Sequence, residues 1–278
     1  MTLHYSLDEV TPYINWIYFF HAWGISNRPQ SEQHALQDEA TQRLQRHITR
    51  YRTHAVFCLC HAFSDGDDIV TEVPAAHHGQ RCTEVRIPCL RQQQQDSEYL
   101  CLSDFIAPKT NINEKSFRQI GLFATTVDSG MECDFDDDPY EKMMMQLLAD
   151  RLAEATAERL HEQVRKHYWG YAADEQLSIS DMLSEHWQGI RPAVGYPSLP
   201  DTSLNFLFDQ VLDLSQIGIR LTESGAMKPH ASVSGMMLAH PKARYFSIGK
   251  IGQDQLYDYA RRRGISLETA KKFLSANL

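Results

Sequence analysis

The sequence predicts an α+β fold: a single domain with a mainly antiparallel, twisted sheet flanked by helices, and one long central helix. Candidate strands occur in clusters between helices without regular βαβ alternation, which argues against a doubly wound parallel sheet. The longest helical pattern covers about residues 139–168. Because no internal repeat and no convincing linker interrupts the 278 residues, we expect one domain over 1–278.

The amino-acid composition limits the classes of protein to which this chain can belong. Apolar residues make up 42% and charged residues 23% of the chain, as in folded globular proteins. The net charge of -9 argues against a nucleic-acid-binding protein, which usually has a basic surplus. No apolar run approaches the roughly 20 residues that cross a bilayer, and the N-terminus lacks a secretion signal. We therefore expect a cytoplasmic protein that binds neither nucleic acid nor membrane.

The strand predictions rest on short apolar or alternating runs bounded by turn residues. An acidic turn is predicted at 64–68, where the lack of a glutamate at the twelfth loop position disfavours a calcium site. The predicted strands are 55–60, 69–73, 83–87, 119–127, 217–222, 231–238 and 244–248.

The helix predictions rest on apolar spacing and capping residues. Residues 7–20 form an aromatic-dense run around Asn15, a polar side chain that needs a partner if it is buried. The last of two short C-terminal helices should begin after Ser266. The other predicted helices are 31–50, 139–168, 178–188 and 203–213.

The long helix is expected to have two faces. At 100° per residue, Asp150, Glu154 and His161 fall within roughly 40° of each other, opposite Leu148 and Leu152. The polar side is either a solvated face with ion pairs along the helix or the wall of a site. The periodicity of the helix does not distinguish a solvated face from the wall of a site.

The segment Gly189-Ile-Arg-Pro-Ala-Val-Gly-Tyr-Pro197 concentrates unusual residues. Its prolines disfavour helix, and Gly195 permits backbone angles that other residues resist. Arg191 offers a rigid five-donor fork suited to a carboxylate or phosphate. One interpretation is a stiff loop that presents a guanidinium to a small anionic ligand. The other is an ordinary proline-rich connection whose arginine pairs with a surface acid.

Motifs for several enzyme classes are absent from the sequence. It contains no P-loop, no G-x-G-x-x-G, no G-x-S-x-G and no H-E-x-x-H. The six cysteines form no C-x-x-C pair and are expected to be reduced thiols. The spacing of Cys58, Cys60 and His61 is poor for zinc. We therefore predict no metal site and no catalytic side chain.

A series of short motifs, in order along most of the chain, resembles the S-adenosylmethionine-binding activation (reactivation) domain of cobalamin-dependent methionine synthase. Each motif is weak alone, and their joint order is specific. They are TPYINWIYFF (11–20), GDDI (66–69), LRQQ (90–93), LSDFIAP (102–108), ADRLAEA (149–155), WGYA (169–172), RPAVGYP (191–197), LTES (221–224), ASVSG (231–235) and RYF (244–246).

The resemblance implies roles for the loop 191–197. Arg191 matches the arginine that meets the methionyl carboxylate of S-adenosylmethionine. Ala193 and Tyr196 match the loop's other contacts. Elsewhere, Tyr245 and Phe246 match an aromatic pair beside the ligand.

Two further positions match the ligand site of this family. Glu154 matches a helix position near the site. Asn15 stands where the family pattern has aspartate, so it keeps a carbonyl acceptor but lacks the charge that would pair with the ligand's ammonium. We therefore expect weaker S-adenosylmethionine binding than is usual in the family, and we expect Asn15→Asp to tighten it.

The implied function is reductive methylation of inactive cob(II)alamin, which supports methionine biosynthesis. The resemblance implies that S-adenosylmethionine supplies the methyl group, that a partner module of methionine synthase holds the cobalamin, and that a flavodoxin-like protein donates the electron. The polar helix face near Asp150 is expected to meet the partner. Met1, a few residues before the first motif, favours a stand-alone subunit over an excised domain.

Two alternatives to this function remain open at this point. The first is an interaction protein that keeps the fold but has lost the ligand, which Asn15 favours. The second is a methyltransferase with its own acceptor, although no glycine-rich strand-to-helix loop supports the common version.

Overall fold

The computed structural model describes residues 1–73, 83–93, 98–110 and 118–278 of the chain. Cys82 and the His77-His78 pair lie outside these ranges. The described strands are β1 (Thr2–Ser6), β2 (Arg52–Asp65), β3 (Asp68–Val73), β4 (Thr83–Pro88), β5 (Gln119–Val127), β6 (Arg220–Leu221), β7 (Met227–Lys228) and β8 (Ser232–Met237).

Along the chain, groups of described helices alternate with groups of these strands. They are α1 (Leu7–Val10), α2 (Trp16–Trp23), α3 (Gln30–Arg46), α4 (Gly130–Cys133), α5 (Pro139–Gln163), α6 (Ile179–Leu183), α7 (Leu204–Leu212), α8 (Gln253–Arg263) and α9 (Leu267–Phe273).

Six of the described strands form one antiparallel sheet, in the order β4-β3-β2-β5-β8 with β1 also on β2. The long strand β2 makes this possible, because β1 pairs with its first residues and β3 with its last, on the same edge. β5 pairs with the other edge of β2 and in turn with β8. The α+β fold and the mainly antiparallel sheet are confirmed.

Alternate side chains of the central strands enter two separate cores, one on each face of the sheet. Phe57 and Phe123 belong to the core beneath α5, whereas Val56 and Leu122 belong to the core beneath α7. Both faces are therefore covered. A strand buried on both faces appears in the sequence as a continuous apolar run, which is why residues 119–127 were predictable.

The long helix is confirmed over the predicted range. Asp138 caps α5 by accepting hydrogen bonds from the next backbone amides, and Pro139 occupies the first helical position. The helix passes into a π-helical turn at Val164–Tyr168. Thr125 of β5 donates a hydrogen bond to the carbonyl of Ala153 at 2.9 Å, which fixes α5 against the sheet.

Other element predictions have mixed outcomes. The helices at 31–50, 178–188 and 203–213 are present with shorter bounds, and Ser266 caps α9 as expected. The strand predicted at 217–222 is reduced to Arg220–Leu221, because a 3-10 turn occupies Leu214–Ile217. The strand predicted at 244–248 is wrong: this segment lies beside the 189–197 loop, where the Ile248 amide donates to the carbonyl of Pro197 at 3.0 Å.

Five elements of the described residues were missed in the sequence: β1, α1, α2, α4 and β7. The sequence did contain a signal for α2, namely the residues that cap its two ends. Asn15 accepts a hydrogen bond from the Ile17 amide as N-cap, and Gly24 ends the helix at φ 77°. The density of aromatic residues between these caps hid the helical period.

Among the described residues, no helix is long and apolar enough to span a membrane. The same residues contain no cluster of three or more histidine, cysteine or acidic side chains that could hold a metal ion. Cys58 and Cys60 lie 3.4 Å apart at their sulfurs as free thiols.

Candidate functional site

A cavity of about 530 Å³ lies between α5, the N-terminus of α2, the turn after α6, the 189–197 loop and residues 245–247. Its volume is in the range of small-molecule sites. All seven residues predicted for the site line this one cavity: Asn15, Glu154, Arg191, Ala193, Tyr196, Tyr245 and Phe246.

The 189–197 loop is fixed to the sheet by backbone hydrogen bonds. It runs antiparallel along the edge of β8 that does not pair with β5. This pairing explains how a segment rich in proline holds a defined shape. The bonds, at 2.9–3.0 Å, join Ile190 to Leu238 in both directions, the Met236 amide to the Pro192 carbonyl, and the Val194 amide to the Ser234 carbonyl.

Glycines allow the close approach between this loop and β8. A Cβ atom on Gly235 would lie 2.4 Å from the carbonyl oxygen of Pro192 and 3.0 Å from Cα of Ala193. Gly195 has φ 88°, a left-handed backbone angle of the kind that glycine permits and other residues resist. The loop's position therefore depends on small residues on both sides.

Arg191 lines the cavity, and its guanidinium is bonded to α5. Its side chain is only 9% exposed, and it donates to Glu158 Oε1 at 2.5 Å and to the Ala157 carbonyl at 2.8 Å. Burial acts to lower the pKa of Arg191, but the charge of Glu158 and its hydrogen bond outweigh burial and raise that pKa. Arg191 is therefore a fixed cation, held in place from the α5 side.

Two tyrosines connect the loop to its surroundings. The Tyr245 hydroxyl accepts a hydrogen bond from the Arg191 amide at 3.0 Å, and the Tyr196 hydroxyl donates to Glu154 Oε1 at 2.7 Å. Burial raises the pKa of both phenols, and the charge of Glu154 adds to this effect at Tyr196. Both phenols are therefore neutral hydrogen-bonding groups at physiological pH.

The rim of the cavity carries exposed aromatic surface. Tyr18 is 59% exposed and Tyr196 is 52% exposed, and the guanidinium of Arg151 lies 5.9 Å from the ring of Tyr18. Asn15 lies on the same wall, where its side-chain oxygen caps α2. A ligand in the cavity would thus be reachable from outside the domain past aromatic side chains.

Sequence reasoning missed two acidic residues of the cavity, Glu158 and Glu185. Glu158 carried a usable signal, because it lies one helical turn after Glu154 on the same face of α5. Glu185 carried no such signal in the sequence. It follows a short helix, and its place in the cavity depends on the course of the backbone after that helix. With these two, the lining has three carboxylates (Glu154, Glu158, Glu185) and two cations (Arg151, Arg191), a net charge of -1.

His161 does not belong to the polar face on which it was predicted. Its ring is fully buried and packs edge-on against Trp187, 5.3 Å between centroids. Burial, together with repulsion from Arg191 and Arg165, holds the pKa of His161 well below its usual value. The expectation of one polar face was wrong because the segment that contains Trp187 covers this part of α5. One ion pair along the helix, Arg159–Glu162, is present at 2.8 Å.

Known proteins resemble this chain over most of its length. A family model described as "Vitamin B12 dependent methionine synthase, activation domain" matches residues 6–264. The chain belongs to this family. A crystal structure of the MetH reactivation domain bound to AdoHcy matches with a TM-score of 0.89 and 35% identity, over 100% of this chain and 90% of that one.

In this activation domain, the seven predicted site residues come from four separate parts of the chain. α5 contributes Glu154, and the loop on β8 contributes Arg191, Ala193 and Tyr196. The start of α2 and the segment 245–247 complete the set. Only the packing of α5 and the loop against the same sheet brings these parts together.

Proposed function

We propose that this activation domain binds S-adenosylmethionine in the cavity above Arg191 and supplies its methyl group for reactivation of cobalamin-dependent methionine synthase. The observation that carries the proposal is the convergence of a fixed guanidinium, three carboxylates and several aromatic rings in one cavity of suitable volume. Each of these side-chain types matches a chemical group of the ligand.

The charges of the lining suit this ligand. A guanidinium binds a carboxylate through two parallel hydrogen bonds, so Arg191 is the group that would hold the methionyl carboxylate. Carboxylates and ring faces favour a bound cation, and the net charge of -1 suits a ligand with a sulfonium and an ammonium. Tyr245 and Phe246 would provide ring surface beside it.

We assign the covalent chemistry to the cobalamin and not to a side chain of this domain. The cobalamin, held by a partner module, would supply that chemistry as the methyl acceptor. This domain would bind and orient the donor, and a flavodoxin-like protein would provide the electron. The exposed rim formed by Tyr18 and Tyr196 supports an approach of the partner to the open side of the cavity.

The test is calorimetric titration of the protein with S-adenosylmethionine, repeated with Arg191→Ala. Saturable binding that disappears in the variant is the expected result. Arg220→Ala, which removes an exposed arginine outside the cavity, is the matched control and should bind normally. Normal binding by Arg191→Ala would place the ligand elsewhere.

A second candidate function follows from Asn15. If the missing charge at this position has removed ligand binding altogether, the domain would act as an interaction protein with the same fold. No heat of binding at millimolar S-adenosylmethionine, together with stable association with the cobalamin-bearing module, would favour that function.

A further inference from the structure

Two histidines face each other across the pair formed by β1 and β2. His4 and His54 are direct partners in the antiparallel register. Hydrogen-bonded and non-hydrogen-bonded pairs alternate along this register from Met1–Phe57, which exchanges two backbone hydrogen bonds. His4–His54 is therefore a non-hydrogen-bonded pair, the kind at which side chains come closest. The two Nδ1 atoms lie 2.7 Å apart.

A carboxylate fixes the ring of His54. Asp128 directly follows β5, and its two oxygens lie 2.8 Å from His54 Nε2 and 2.7 Å from the amide of Arg52. Because Nε2 of a neutral His54 donates its proton to this carboxylate, Nδ1 presents a lone pair to His4, and His4 Nδ1 donates the bond between the rings. A carboxylate that holds the second ring nitrogen in this way usually accompanies a metal-binding histidine.

A cavity of about 280 Å³ lies beside the histidine pair. Both histidines line it, together with Asp128 and the 3-10 turn that contains Gln216. This cavity and the one that Arg191 lines share none of their described lining residues. Since a water molecule takes up roughly 30 Å³, there is room beside the pair for an ion and several water ligands.

The distance between the two nitrogens suits a metal ion with square-planar geometry. Imidazole is a ligand for zinc, copper and nickel, with metal–nitrogen bonds of roughly 2.0 Å. Two such bonds at a right angle place their nitrogens about 2.8 Å apart, whereas the tetrahedral angle that zinc prefers separates them by about 3.3 Å. The observed 2.7 Å is nearer the first value. Because His4 is exposed, its proton can move to Nε2 and bond to water, which frees both Nδ1 atoms for the ion.

We propose that His4 and His54 bind a divalent transition metal ion of the square-planar class, Cu²⁺ or Ni²⁺, with water in the remaining positions and Asp128 as a positioning residue for His54. The site lies apart from the proposed ligand cavity and does not depend on the proposed function. It replaces the prediction of no metal site. Spacing along the chain could not reveal it, because the two histidines are 50 residues apart and only the pairing of β1 with β2 brings them together.

The experiment is equilibrium dialysis of the protein, without a polyhistidine tag, against Ni²⁺ at about pH 8, where imidazole is ordinarily neutral. Ni²⁺ is the probe because, unlike Cu²⁺, it does not oxidise the exposed thiol of Cys133. The wild type should bind Ni²⁺ saturably, and His4→Gln and His54→Gln should each bind it at least tenfold more weakly. His61→Gln is the matched control, since His61 is an exposed histidine of the same strand that faces Glu72 instead of a second histidine.

Asp128→Asn tests the positioning role of the carboxylate. Loss of such a partner typically lowers metal affinity 10–100-fold, so Asp128→Asn should bind Ni²⁺ roughly tenfold more weakly, whereas Glu72→Gln should bind it normally. The visible absorption of square-planar nickel should appear with the wild type and weaken with Asp128→Asn in folded protein, and a merely structural role would leave that spectrum unchanged.

Three results would overturn the inference. They are no saturable binding at millimolar Ni²⁺, an octahedral nickel spectrum, and undiminished binding by His4→Gln or His54→Gln. Thermal unfolding without metal checks that each variant is folded. Because His4 is exposed, His4→Gln should fold and decides the outcome even if His54→Gln does not.

Discussion

Glu158 Oε1 accepts a hydrogen bond from Arg191 Nη2 at 2.5 Å, which joins α5 to the loop on β8. The two side chains are 17% and 9% exposed, so the ion pair is largely withdrawn from water. This pair joins a helix to a loop that the chain supplies more than 30 residues later. It sets the direction of the one guanidinium on which the proposed ligand site depends.

We expect Glu158→Gln to lower the free energy of unfolding by about 2 kcal/mol. Glutamine keeps an acceptor but removes the charge opposite the buried guanidinium, and hydrogen bonds to charged groups contribute ~1.5–3 kcal/mol. Urea unfolding measures the effect. Glu98→Gln removes the acid of the exposed Arg244–Glu98 pair and should change stability by less than about 1 kcal/mol. Equal effects of the two substitutions would contradict a buried role for Glu158.

Gly235→Ala should displace the ligand loop. The added methyl group would meet the backbone of Pro192 and Ala193, which cannot turn aside as a side chain can. Overpacking of this kind costs ~1–3 kcal/mol of stability, and we expect S-adenosylmethionine affinity to fall at least tenfold. Gly121→Ala is the matched control, because its Cβ would meet only side-chain atoms, of Met237 and Leu59. Similar affinity losses in both variants would show that the sheet, not the loop, is responsible.

Asn15→Asp should tighten S-adenosylmethionine binding by about tenfold, equivalent to about 1.4 kcal/mol. A carboxylate would interact with the ligand's ammonium by charge, which roughly doubles the strength of a hydrogen bond. The cap of α2 should survive, since aspartate is as good an N-cap as asparagine and suits the helix dipole. Calorimetry measures the affinity, and thermal unfolding checks the cap. Unchanged affinity would remove residue 15 from the site.

His161 should make the domain less stable in mild acid. Its pKa is held well below the usual value in the folded state, so the ring is neutral there, whereas the unfolded chain binds a proton below about pH 6.5. Stability should therefore fall as the pH drops from about 6.5 towards the folded-state pKa, by at most about 1.4 kcal/mol per pH unit.

The matched variants for this effect are His161→Phe and His34→Gln. His161→Phe keeps a ring beside Trp187 without a titratable group, so its stability should change less than that of the wild type between pH 7 and pH 5.5. His34 is an exposed residue of α3, and its replacement should leave the wild-type pH dependence unchanged. Urea unfolding across this pH range provides the measurement. Parallel curves for wild type and His161→Phe would rule out the buried ring as the cause.

The elements that the sequence predicted well are those with one dominant signal. The continuous apolar run of β5 and the Asp-Pro start of α5 each have a single local cause. Residues 244–248 show the opposite case, because alternation alone cannot tell whether a neighbouring strand is available to pair. In the structure, the 189–197 loop lies beside these residues. The strand prediction fails because no described strand pairs with them.

The sequence by itself determined the fold class and the long helix, and a resemblance carried by ordered motifs predicted the seven candidate site residues. Only the tertiary structure decided that these residues share one cavity, that Glu158 fixes Arg191, and that Glu185 also lines the cavity. The physical reason is that periodicity reports which face of one element is apolar. Local spacing does not encode which neighbour covers a face, as Trp187 covers His161. It also does not encode contacts between distant segments.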